Sequence, residues 1–204
     1  MAYHVICISR QFGSGGHEIG KNLAERLKVP FYDKNLVEMA AERSGIHPQT
    51  LEKADERRTN PWLYESLHEE NQTFGRGLPA SDALFQLQSQ IILEAAQKED
   101  CVIVGRCAGY LLHQNQIPCI SLFICAPFEE RVRRKKELEG LKEKAAYDLV
   151  RKEDKYRKAY YNYYTGEDWG KPETYDFCIN SAEKGIGFTT DLLYRLLRRE
   201  EWCQ

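Results

Sequence analysis

The chain has 204 residues, of which 42% are hydrophobic and 29% are charged, and its formal net charge at pH 7 is -2. This size and composition exclude a disordered chain and a collagen, and they predict one domain, residues 1–204, with a single sizeable core. Because the net charge is close to zero, a phosphate site must depend on local clusters of cations.

No apolar stretch approaches the roughly 18 residues that span a bilayer, and the first nine residues do not have the pattern of a signal peptide. We therefore expect a cytoplasmic protein that does not bind membranes. The 7 cysteines are odd in number, and most lie in apolar runs, so we expect reduced, buried thiols. Neither cysteines nor histidines have zinc-ligand spacing, so no structural metal is assigned.

The first part of the chain has the pattern of a strand, a loop and a helix. Val5 to Ile8 is a short apolar run, and residues 10–16 form a glycine-rich stretch. Apolar residues then recur every fourth position, at Ile19, Leu23 and Leu27, which predicts an amphipathic helix. A second short strand is predicted at 29–32, after which Asp33 can cap a helix that runs toward Gly45.

The helical and strand patterns weaken between residues 47 and 79, which indicates an insertion in the core fold. Beyond it, continuous apolar strands alternate with helices, and this pattern predicts a parallel sheet covered on both faces. The predicted elements are a long helix from Ser81 past Ala95, strands at 101–104, 120–124 and 175–179, a charged helical region at 128–158 and a last helix around 192–197.

A glycine-rich turn between a first strand and a helix can hold phosphates with backbone N–H groups and the positive end of the helix dipole. Two registers are open for this loop. In the first, Gly15 to Asn22 reads G-x-x-x-x-G-K-N, which nearly matches the phosphate-loop motif but has Asn22 in place of the hydroxyl residue. In the second, the turn is residues 10–16, Gly16 takes the lysine position, and Arg10 is the nearest cation.

Helical phase favours the second register. Lys21 lies about 200° around the helix from Ile19 and a turn beyond the start of the helix, so we expect it to face solvent. We therefore predict that Gly13, Ser14, Gly15 and Gly16 bind the nucleotide with Arg10 as the phosphate cation. The alternative is that the glycines form only a flexible connection.

Four segments together resemble the cytidylate-kinase-like family, and the resemblance covers almost the whole chain. They are Ile8 to Gly16 (ISRQFGSGG), Pro30 to Asp33 (PFYD), Val102 to Arg106 (VIVGR) and Tyr175 to Ser181 (YDFCINS). The resemblance implies a five-stranded parallel sheet with helices on both faces, a P-loop kinase-like fold that uses ATP and Mg2+. It also implies a substrate-binding helical insertion at 34–80 and a lid with its return at 128–170.

The same resemblance implies roles for individual residues. Asp33 and Arg106 would bind the acceptor nucleotide, and both follow predicted strands at the sheet edge where open parallel sheets bind ligands. Arg131 and Arg134 would be catalytic lid cations, since phosphoryl transfer depends on positive charge around the migrating group. The alternative for this helix is a solvated face of ion pairs, because glutamates alternate with its cations.

The sequence departs from the family pattern in two ways. In the favoured register no lysine is present, and in the other register no hydroxyl residue follows Lys21. The residue that would bind the metal ion is therefore not identified. The leading hypothesis is an ATP-dependent kinase that phosphorylates a small nucleotide, first of all CMP or dCMP. The alternative is a nucleotide-binding protein without catalysis, a sensor or partner subunit. Nucleic-acid binding through 131–136 rests on one basic run in an acidic chain and is not predicted.

Overall fold

The computed structural model describes residues 4–33, 35–45 and 80–198. The five strands are β1 (Val5–Arg10), β2 (Phe31–Tyr32), β3 (Cys101–Val104), β4 (Ile120–Cys125) and β5 (Phe177–Asn180). The helices within these ranges are α1 (Gly16–Leu27), α2 (Asn35–Ser44), α3 (Ala80–Lys98), α4 (Ala108–Gln114), α5 (Phe128–Glu139), α6 (Glu143–Thr165) and α7 (Gly185–Leu197). A short 3-10 helix, Pro172–Thr174, precedes β5.

The five strands form one parallel sheet in the order β2-β3-β1-β4-β5. The central strand β1 pairs Ile6 with Val102 of β3 on one side and with Ile120 of β4 on the other. Because every strand runs in the same direction, the carboxyl ends of β1, β2 and β3 meet at one edge. The predicted α/β architecture with a five-stranded parallel sheet is confirmed.

Helices cover both faces of the sheet because β1 is apolar on both sides. Cys7 packs with α2, α3 and α4 in one buried cluster, which includes Leu36, Ile92 and Leu112. Ile6 and Ile8 pack with α1 and α7 in the other, which includes Ile19, Leu23 and Leu193. The predicted core stripe of α1 therefore faces the sheet.

The charged region predicted as one helical segment is a pair of helices, α5 and α6. Gly140 ends α5 with a φ of 62°, a left-handed conformation that favours glycine. Val132 of α5 packs on Ala146 and Val150 of α6, and Phe12 joins this small core. The pair therefore lies against the glycine-rich loop.

The carboxyl end of α6 and the segment after it are fixed by aromatic contacts. Tyr164 stacks on Phe85 of α3 with ring centroids 3.7 Å apart. Trp169 meets Phe123 edge to face at 5.5 Å and donates a hydrogen bond from Nε1 to Ser9 Oγ at 3.2 Å. These contacts hold the end of α6 and the segment after it against α3, β1 and β4.

Several local predictions differ from the structure. The fifth strand, predicted at 175–179, spans Phe177–Asn180. The second strand contains only Phe31 and Tyr32, since Pro30 lacks the N–H that a strand interior uses. Asp33 was predicted to cap α2, but its carboxylate contacts Arg10 and His17. Only its backbone meets the helix: the carbonyl accepts Leu36 N, and the N–H donates to Asn35 Oδ1. Residues 46–79, most of the predicted insertion, lie outside the described residues. Within the described ranges, no helix is long and apolar enough to cross a membrane.

Candidate active site

The loop between β1 and α1 is held by hydrogen bonds to neighbouring segments and by hydrogen bonds within the loop. Gln11 N donates to Ile124 O of β4 at 3.0 Å, and Gln11 Oε1 accepts Ala126 N at 3.0 Å. Ser14 is buried, its Oγ donates to Gln11 O at 2.8 Å, and its carbonyl accepts Ser181 Oγ at 2.5 Å. The side chain of Ser14 therefore stabilises the loop from inside.

Neither Gly15 nor Gly16 of this loop has room for a side chain. Gly15 has a φ of 80°, and a Cβ there would lie 2.7 Å from Ile186. Gly16 begins α1, and a Cβ there would lie 2.6 Å from Arg10 Cβ, closer than real Cβ atoms come. The position that a lysine takes in the favoured register therefore has no room for a side chain, because Arg10 fills the space in front of it.

Arg10 leaves the end of β1 and crosses the sheet edge toward the ends of β3 and β2. Its guanidinium lies against Gly105, which follows β3, and leaves no room for a Cβ there. Arg10 Nη2 lies 3.3 Å from Asp33 Oδ1, and the other carboxylate oxygen lies 2.6 Å from His17 Nδ1. The structure thus places Arg10, Asp33 and His17 together between the loop and the end of β2.

Lys21 lies on the outer surface of α1, with 59% of its side chain exposed and Nζ 3.9 Å from Glu25 Oε1. Its position agrees with the helical phase. Because α1 begins at Gly16, Lys21 is more than one turn from the start of the helix. In this structure Lys21 lies on the solvent-exposed face of α1 and points away from the glycine-rich loop.

Arg131 connects α5 to the loop from below. Its side chain is 6% exposed; Nε donates to Ala126 O at 2.9 Å, and Nη1 donates to Phe12 O at 3.0 Å and to Asp154 Oδ2 at 2.5 Å. The other oxygen of Asp154 accepts Phe12 N at 2.7 Å. One buried ion pair therefore holds both polar groups of the Phe12 backbone.

Arg157 of α6 is a site residue that the sequence placed only in the general lid region. Its Nη1 donates to Arg10 O at 2.9 Å, and its guanidinium lies 5.2 Å from the Phe12 ring centroid. Burial, together with the charge of Arg10, lowers the pKa of Arg157 to about 9. Two arginines thus lie close together in a partly buried place, which favours an anion between them.

Arg134 lies over the glycine-rich loop. Its Nη2 donates to Glu18 Oε2 of α1 at 2.7 Å, and its Nε would lie 3.7 Å from a Cβ on Gly15. Its neighbour Arg133 is 67% exposed and pairs with Glu130 on its own helix. Of the predicted lid cations, Arg134 faces the loop, Arg133 faces solvent, and Arg131 lies beneath the loop.

Arg106 follows β3 at the same sheet edge, in a turn whose three residues Gly105, Arg106 and Cys107 all have positive φ. Arg106 is partly buried, whereas Cys107 is buried. Burial raises the pKa of the Cys107 thiol to about 12, which makes it an inert thiol at neutral pH. The turn directs the chain from β3 into α4 beside Arg10.

Few protein side chains near the loop could bind the Mg2+ that this kind of fold implies. Among the described residues no group of three or more His, Cys, Asp or Glu side chains could hold a metal ion. Three carboxylates lie near the loop. Asp154 already binds Phe12 N and Arg131, which leaves Glu18 in the first turn of α1 and Asp33 after β2. This set fits Mg2+, which in phosphate-transfer sites takes one or two carboxylates and completes its shell with phosphates and water.

The parallel sheet, the glycine-rich loop after β1 and the helical pair over it define a P-loop kinase fold. The chain belongs to the cytidylate kinase-like family, whose family model matches residues 5–183. A search of curated proteins finds no significant match.

Solved structures agree with this fold. An uncharacterized protein from Eubacterium ventriosum is 30% identical with a TM-score of 0.69, and the alignment covers 96% of this chain and 98% of that one. Shikimate kinase from Bacteroides thetaiotaomicron is 18% identical with a TM-score of 0.54, over 97% of this chain and 99% of that one. TT1252 from Thermus thermophilus is 16% identical with a TM-score of 0.54 and full coverage of both chains. The two more distant matches support the fold alone.

The buried ion pair of Arg131 and Asp154 predicts a large stability effect. Arg131→Ala should lower the free energy of unfolding by about 3 to 5 kcal/mol, because it leaves the Asp154 carboxylate and the carbonyls of Phe12 and Ala126 without their partner. Urea unfolding followed by circular dichroism measures this change. The control, Arg133→Ala, removes an exposed cation of the same helix and should cost less than about 0.5 kcal/mol. Equal effects of the two variants would contradict the buried role of Arg131.

Proposed function

We propose that this protein is an ATP-dependent kinase that transfers a phosphoryl group to a small nucleotide, with CMP and dCMP as the first acceptors to test. The observation that carries the proposal is the convergence of Arg10, Arg131, Arg134 and Arg157 on one glycine-rich loop. The chain as a whole has a net charge of -2, whereas four guanidinium groups lie around this loop. Three of them pair with an acid, Asp33, Asp154 or Glu18, so this is a local concentration of cations whose charge is partly balanced. Such a concentration is what phosphoryl transfer requires.

In this proposal the loop residues Gly13 to Gly16 hold the ATP phosphates with their backbone, at the start of α1. Arg10 replaces the missing lysine. Its guanidinium lies between the loop and Asp33, so its charge is placed between donor and acceptor. Mg2+, when bound, would neutralise charge on the phosphates, with Glu18 or Asp33 as its protein ligand.

Asp33 and Arg106 form the proposed acceptor side. Asp33 is buried, and its two oxygens contact Arg10 and His17, so it is oriented at the edge where the acceptor would lie. Arg134 then lies over the loop as the cation nearest to the transferring group. Arg131 is proposed to act on turnover as well, through its contacts to Phe12 and Ala126.

A nucleotide-binding protein without catalysis is the second candidate. The observation that favours it is the lack of space for any side chain at Gly16. In the favoured register, Gly16 occupies the position of the missing lysine. Both candidates bind nucleotide, and only the kinase turns it over. A turnover assay therefore separates them.

Nucleotide binding is the first test of both candidates. ATP or ADP at a hundred times its dissociation constant should add about 2.7 kcal/mol to the stability of the folded state and raise the melting temperature. Mg2+ should strengthen ATP binding. Calorimetry that shows no saturable binding of either nucleotide at millimolar concentration would reject the kinase and the sensor together.

Arg106→Ala tests the division of the cleft into donor and acceptor sides. This variant should weaken acceptor binding by about 1.5 to 3 kcal/mol, the value of a charge-assisted hydrogen bond, and leave ATP affinity nearly unchanged. Calorimetry with each ligand alone measures the two affinities. An equal loss of both, in a protein shown to be folded, would mean that Arg106 does not separate the two sides.

A further inference from the structure

A second cavity lies beside the sheet on the face that carries Cys7, away from α1. Its volume is about 350 Å3, within the range of small-molecule sites. It is enclosed by residues of β1, α4, the start of β4 and the segment around α6 and β5, among them Cys7, His113, Cys119, Tyr161, Tyr175 and Asp176. The cavity is therefore formed by several elements, and it opens to solvent on the side where Glu173 and Asp176 are exposed.

The cavity and the cleft share a border and have opposite charge. Gly105 lines the cavity, and the Arg10 guanidinium lies against the same residue. None of the described residues that line the cavity is a lysine or an arginine. Three of them are acids: Glu167, Glu173 and Asp176. A phosphate therefore meets neither lysine nor arginine among the described residues of this lining, which includes one imidazole, that of His113.

The carboxylates are oriented by neighbours inside the lining. Asp176 Oδ2 accepts Ser121 N at 2.7 Å and Ser121 Oγ at 2.8 Å. Glu167 Oε2 accepts the hydroxyl of Tyr161 at 3.2 Å. Each of these bonds uses one oxygen of a carboxylate, so the acids are fixed in position next to the cavity.

The tyrosine hydroxyls of the lining and the Cys7 thiol are neutral groups. Burial raises the pKa of Tyr161 and of Tyr175. A hydrogen bond with Cys119, followed by burial, raises the pKa of Cys7, and the same hydrogen bond lowers that of Cys119. At neutral pH these hydroxyls and the Cys7 thiol are therefore uncharged, and the fixed negative charge of the lining is that of its carboxylates.

We propose that this cavity is a second ligand site, separate from the phosphate cleft, which binds a small organic cation of about the size of one ring. The carboxylates of Glu167 and Asp176 would receive its ammonium group. The rings of Tyr161 and Tyr175 offer apolar area and a favourable face for a cation.

Three probes of equal size and different charge test the proposal on the unmodified full chain: benzylamine, benzyl alcohol and benzoate. Calorimetry should show one benzylamine site with a dissociation constant of about 1 mM, a value suited to a ligand of this size. Benzyl alcohol should bind more weakly, and benzoate should not bind. Benzylamine should also slow alkylation of Cys119 by iodoacetamide, located by peptide mass spectrometry, and saturating ATP should not abolish its binding.

Two variants and a control locate the site. Glu167→Gln and Asp176→Asn should each weaken benzylamine binding about tenfold, whereas Glu183→Gln, which removes an acid with an 84% exposed side chain outside the cavity, should leave it unchanged. No saturable binding of benzylamine, or equal affinities for benzylamine and benzoate, would overturn the proposal. Wild-type affinity in both folded cavity variants would overturn it as well.

Discussion

Arg10→Ala is expected to lower ATP affinity or turnover at least about tenfold, or 1.4 kcal/mol. The reason is the position of Arg10, whose side chain fills the space in front of Gly16 and whose guanidinium lies between the loop and Asp33. Its planar group can contact two phosphate oxygens at once. Calorimetry and steady-state kinetics at saturating Mg2+ measure the two effects.

Lys21→Ala is the matched control, since it also removes one cation from the region of α1. Lys21 is exposed and pairs with Glu25, so this change should alter either quantity by less than about threefold. Circular dichroism must show that both variants are folded. The opposite ranking would restore Gly15 to Lys21 as the phosphate loop and would contradict the register proposed here.

Arg134→Ala is expected to have the largest effect on catalysis, a decrease in kcat of about a thousandfold with a smaller change in ATP affinity. Arg134 lies over Gly15 and is held by Glu18, so closure can bring it to the transferring group. A cation that contacts the phosphoryl group mainly in the transition state affects rate more than binding. Initial rates at saturating ATP and acceptor measure it.

Arg133→Ala provides the comparison on the same helix. Arg133 has the same charge and is the adjacent residue, but it is exposed and pairs with Glu130 on its own helix. Its removal should leave kcat within about threefold of the wild type. Wild-type rates in both variants would return α5 to the alternative of a solvated face of ion pairs.

The sequence predicted the sheet, the order of its elements and the path of α1 because apolar periodicity determines these features. Ile19 and Leu23 are completely buried against the sheet, and Lys21 is exposed, as the helical phase required. The glycine-rich loop was also predictable, since few other residues adopt the positive φ of Gly13 and Gly15. Local pattern was sufficient for each of these predictions.

Other parts of the site depend on contacts between distant segments, which periodicity does not report. Arg157 reaches Arg10 across 147 positions, and Phe12 binds Asp154 across 142. Arg131 and Arg134 are close in sequence and both basic, but only packing decides that one lies beneath the loop and the other over it. Asp33 had the pattern of a helix cap, yet its carboxylate pairs with Arg10 and His17 because the sheet edge brings these residues together.

The most direct measurement of the central claim is phosphoryl transfer from γ-labelled ATP to a panel of nucleoside monophosphates, nucleosides and small hydroxyl compounds, in the presence of Mg2+. The account predicts a labelled product and a stoichiometric amount of ADP with at least one nucleotide acceptor, CMP and dCMP first, and a strong loss of both in Arg134→Ala. Saturable ATP binding without transfer to any member of the panel would contradict the kinase and favour the nucleotide-binding protein without catalysis.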